Sequence, residues 1–147
     1  MNTIRVPEEA APFLPLCRTQ SADSKSTSER VLFDSYADLI VFAAALGFDE
    51  MGGKLPKRDT RFLDRPNAID LQTFKTDRRY PPLLLIALAA SHDRTVIRDE
   101  GLLCKLTEDF AAVGLERMKK IVDRGTPGAW HLAIAERLKE VASAATL

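Results

Sequence analysis

From Tyr36 to Leu46 the chain reads Tyr36-Ala37-Asp38-Leu39-Ile40-Val41-Phe42-Ala43-Ala44-Ala45-Leu46, apolar around almost the whole circumference of a helix. A helix of this kind has no solvent side, so the rest of the fold has to enclose it. Ser35 stands where an N-cap belongs, and Asp38 three residues on makes a carboxylate version of a capping box. Gly47 suits the left-handed residue that closes a helix. The pattern therefore predicts a central helix over 35–46, around which the remaining elements are arranged.

Leu83 to about Ser91 forms a second apolar run, opened by Tyr80-Pro81-Pro82, where proline is tolerated in the first turn. A longer amphipathic helix is expected over 99–122, with Leu102, Leu103, Leu106, Phe110, Val113, Leu115, Met118 and Ile121 as its stripe. Gly114 weakens it by about 1 kcal/mol relative to Ala and marks either a close helix approach or a bend. Thr126 and Pro127 start a last helix whose seam is Trp130, Ile134, Leu138 and Val141. Near the start, Ala10, Phe13, Leu14 and Cys17 share a helical face, but Pro12 and Pro15 predict a short or broken helix.

Between these segments lie a flexible Ser-rich loop over 19–30 and an irregular connection over 48–79. In that connection Ile69, Leu71 and Phe74 fit either a helical turn and a half or a short strand. Length and a 46% hydrophobic composition suit one domain over 1–147 with one core. The expected fold is all-α, a compact bundle of about five helices, with 35–46 and 82–91 at its centre against 99–122 and 127–143.

Most familiar chemistry fails on spacing. Gly47 to Leu55 is the nearest approach to a phosphate loop, yet Gly53 sits where the lysine belongs, no Ser or Thr follows, and a helix precedes it instead of a strand. His92 and His131 have no partner at zinc-ligand spacing. No Glu-x-Lys occurs, and the sole Asp-x-Lys, Asp23-Ser24-Lys25, falls in the Ser-rich loop, so a nuclease would need a composite site. Cys17 and Cys104 read as two free thiols in a reducing compartment. The N-terminus lacks a secretory pattern, and no apolar run approaches the roughly 20 residues of a membrane span. The expectation is a cytoplasmic protein that is not an enzyme and carries no cofactor or metal.

Charge is the remaining lead. Residues 54–79 hold eight basic and four acidic side chains, whereas residues 1–53 hold four basic and eight acidic. The eight cations are Lys54, Lys57, Arg58, Arg61, Arg65, Lys75, Arg78 and Arg79. They could contact nucleic-acid phosphates or an acidic partner, with Phe62 and Phe74 as stacking or core groups. The competing reading is a solvated loop that pairs with the acidic front of the chain.

Three blocks carry a family resemblance: Phe33 to Phe48, Pro82 to Ala89 running on to His92-Asp93, and Glu108 to Glu116. Over roughly residues 30–122 the chain resembles small bacterial accessory proteins encoded beside DNA phosphorothioation systems, the DNA phosphorothioation-associated protein 4 group. It departs from the group at Phe110-Ala111-Ala112-Val113-Gly114, where the family typically reads Tyr-Ala-Asn-Gly-Gly. The resemblance transfers no catalytic residue. It implies a setting of DNA sulfur modification with restriction of invading DNA, a non-enzymatic accessory or adaptor role, and the proteins of that system as partners. Direct DNA binding through 54–79 is the alternative. An exposed apolar patch or a stable homodimer would mark the adaptor.

Overall fold

The computed structural model describes residues 2–18, 31–76 and 78–123. The Ser-rich loop and the helix expected over 127–143 lie outside the described residues. Within them the fold is predominantly helical, as expected. The elements are β1 (Thr3–Ile4), a 3-10 helix (Glu8–Leu16), α1 (Tyr36–Glu50), β2 (Ile69–Asp70), α2 (Leu71–Lys75), α3 (Tyr80–Ser91), a second 3-10 helix (Arg94–Ile97) and α4 (Glu100–Asp123).

Helix α1 starts as its sequence dictates. The Asp38 N–H donates to Ser35 Oγ at 3.2 Å, and the Ser35 hydroxyl donates to Asp38 Oδ2 at 3.0 Å. The helix does not stop at Gly47. It runs on to Glu50, and the left-handed residues that end it are Gly52 (φ 61°) and Gly53 (φ 78°).

Gly47 serves a different purpose, because α1 lies against α4 at backbone contact. A Cβ on Gly47 would fall 1.9 Å from the Phe110 carbonyl oxygen, and one on Gly114 would fall 1.8 Å from the Ala43 carbonyl oxygen. Real Cβ atoms do not approach that closely, so both positions require glycine. Of the two roles the sequence allowed for Gly114, close approach is the one realised. Beside the crossing, the Phe48 and Phe110 rings meet edge to face at 5.8 Å. Three residues past Gly114, Arg117 reaches Asp49 Oδ2 at 2.8 Å and Glu50 Oε2 at 3.1 Å.

The N-terminal helix, expected to be short or broken, is a continuous 3-10 helix of nine residues that contains both Pro12 and Pro15. Its buried residues are Ala10, Phe13 and Leu16, the three-residue period of that geometry. Both prolines lie on its exposed side. Before this helix, β1 pairs antiparallel with β2 in the register Thr3 with Asp70 and Ile4 with Ile69. The zipper continues through Leu63 N–H to Val6 O (2.9 Å) and Glu8 N–H to Arg61 O (2.8 Å). Ile69 is thus in a strand, while Leu71 and Phe74 are buried on α2.

Helix α3 was expected at the centre and is instead buried along one side only. Leu83, Ile86, Ala87 and Ala90 face inward, while Leu85 is 66% exposed. The physical reason is that α1 and α4 already enclose each other, leaving α3 to cover their flank.

The glycine crossing yields a paired prediction. Gly47→Ala or Gly114→Ala should cost about 3 kcal/mol or more, since neither helix can retreat without opening the core. Gly101→Ala, whose nearest neighbour would be Asp99 Oδ1 at 3.6 Å, should be neutral or stabilising by about 0.5–1 kcal/mol. Urea unfolding of the three variants measures both.

Candidate interaction surfaces

The basic connection lies along α4, fastened to it by groups that alternate in direction. From Lys57 to Phe62 exposure alternates, so that Arg58, Thr60 and Phe62 turn toward the protein while Lys57, Asp59 and Arg61 are exposed. Arg58 Nη2 bridges Glu9 Oε1 at 2.7 Å and Glu116 Oε1 at 2.9 Å. The Thr60 hydroxyl donates to Asp109 Oδ1 at 2.7 Å. Further along, Lys75 pairs with Glu100 at the first turn of α4.

Glu108 and Asp109 are buried in the middle of α4, with Thr107 beside them. Burying carboxylates there is tolerable because each is fully engaged. Glu108 accepts the Arg5 backbone N–H at 2.7 Å and both Arg5 Nε and Nη2 at 3.1 Å. The Arg5 guanidinium also stacks on Phe62, 3.7 Å from the ring centre. Asp109 holds Thr60 and, more loosely, Lys105 at 3.4 Å.

The eight sequence-selected cations therefore divide. Arg58, Lys75 and Arg79 are structural, with Arg79 Nε on Asp38 Oδ1 at 2.8 Å, so α3 is tied to the start of α1. The pairing with the acidic front is partly realised, through Glu9 and Asp38, and the rest goes to α4. Lys54, Lys57, Arg61, Arg65 and Arg78 are exposed and make no ion pair among the described residues. Exposed Asp59 and Asp64 interrupt this outward row, so its sign alternates and no uniform basic strip results. Of the two possible stacking groups, Phe74 is fully buried and Phe62 is occupied by Arg5.

Three other features complete the surface. An open cleft of about 400 Å³ lies between the first 3-10 helix and α4, lined by Glu8, Glu9, Pro12, Leu63, Leu115, Glu116 and Lys119 among others. Next to it, Glu9 Oε2 and Arg58 Nε are buried without a hydrogen-bond partner among the described residues. Elsewhere, α3 presents Pro81, Leu85 and Ala89 to solvent, spaced four apart along one side. This face was missed in the sequence, since an all-apolar helix gives no hint of which side is covered.

The thiols are unsuited to nucleophilic work. Burial pushes Cys17 up to about 12 and Cys104 up to about 11, with nearby carboxylates adding to both, so each stays protonated at neutral pH. His92 is exposed and closes α3 in the left-handed region at φ 55°. His131 lies outside the described residues. Among the described residues no three His, Cys, Asp or Glu side chains are placed to hold a metal, and no helix is long and apolar enough to cross a membrane.

The family model of DNA sulphur modification system-associated protein 4 matches residues 4–139, and the chain belongs to that family. No curated protein and no solved structure matches it. The membership agrees with the resemblance carried by the three sequence blocks.

Two outcomes follow from the ion pairs. Arg58→Ala removes the partner of Glu9 Oε1 and should cost about 1–3 kcal/mol, whereas Arg61→Ala should stay within about 0.5 kcal/mol. For Asp38, burial alone would raise the carboxyl, but hydrogen bonds from Arg79 and Ser35 outweigh it and hold it below the usual carboxylate value. A depressed carboxyl contributes stability above its unfolded value, near pH 4, and loses it as pH falls through the folded one. The destabilisation caused by Asp38→Asn should therefore be largest at neutral pH and shrink below about pH 4, as thermal unfolding across pH would record.

Proposed function

We propose that this member of the DNA sulphur modification system-associated protein 4 family is a non-enzymatic adaptor that docks a protein component of that system on the outer face of α3. The observation that carries this reading is Leu85, 66% exposed at the middle of a helix without a single charged residue. Burying such a side chain against a partner contributes about 1.5–3 kcal/mol, and exposed Pro81 and Ala89 extend the apolar line about one turn to either side. The absence of an enzymatic role is supported by what the buried polar groups already do. Glu108 and Asp109 are taken up by Arg5, Thr60 and Lys105, and both thiols are held protonated.

A second reading, direct contact with DNA, is favoured by one observation. Lys54, Lys57, Arg61, Arg65 and Arg78 are exposed and make no ion pair among the described residues, and phosphate contacts call for exposed cations of this kind. The intervening Asp59 and Asp64 count against it. A gel shift repeated at several salt concentrations tests this reading, and no binding at the lowest salt removes it.

The adaptor reading is tested by affinity purification of the tagged chain from its native host. Proteins of the sulphur modification system should co-purify with the native sequence and be lost with Leu85→Lys. That change should alter stability by less than about 0.5 kcal/mol because the site is exposed. Equal recovery with both chains overturns the proposal.

A further inference from the structure

We draw no further inference here: the strongest candidate, the open cleft between the first 3-10 helix and α4, sets Lys119 among the carboxylates of Glu8, Glu9 and Glu116, so its charge selects no ligand and nothing in the structure shows what covers it.

Discussion

The backbone contact between α1 and α4 is the constraint on which the rest of the structure depends. Two glycines, one on each helix, remove the side-chain layer that normally separates packed helices by about 8–10 Å. The main chains then meet directly, with the Phe110 and Ala43 carbonyls where side chains would otherwise stand. Fixing the helices this tightly encloses most of α1 without the layers of a larger protein. It also determines what remains for the other elements, which cover the flanks of a pair that already holds together.

The second organising feature is that α4 is acidic where the connection and the N-terminal segment cross it. Glu100, Glu108, Asp109 and Glu116 receive Lys75, Arg5, Thr60 and Arg58 in turn. A stretch with little regular structure is thereby given a definite course. Hydrogen-bonded charges do here what hydrophobic periodicity does elsewhere, because a misplaced strand would leave a buried carboxylate unpaired. Three of the eight cations of 54–79, Arg58, Lys75 and Arg79, are held in ion pairs within the fold.

Local signals were readable and remote ones were not. The Ser35–Asp38 cap, the proline start of α3 and the stripe of α4 depend on neighbours within a few residues, and the structure keeps them. Gly47 is the instructive failure, since a glycine that ends a helix and one that admits a partner helix look alike in one dimension. The Gly52-Gly53 pair a turn later was the available clue. The spacing of Ala10, Phe13 and Leu16 already had the period of a 3-10 helix, but the prolines drew attention to breakage. The inward turn of Arg58, Thr60 and Phe62 was present as a two-residue alternation. Burial of Glu108 could not be read at all, because its partner is 103 positions away.

That separation has a further meaning for how the molecule comes into being. Arg5 emerges from the ribosome long before Glu108 exists, and at about 5–20 residues per second the interval is roughly 5–20 s. Throughout it, Ile4 and Val6, both fully enclosed in the finished fold, have no completed surface to join. The surface of α4 that packs on β1 is therefore made about a hundred residues after the strand itself. Until then β1 has its main-chain partners on β2 but not the helix that helps to bury it.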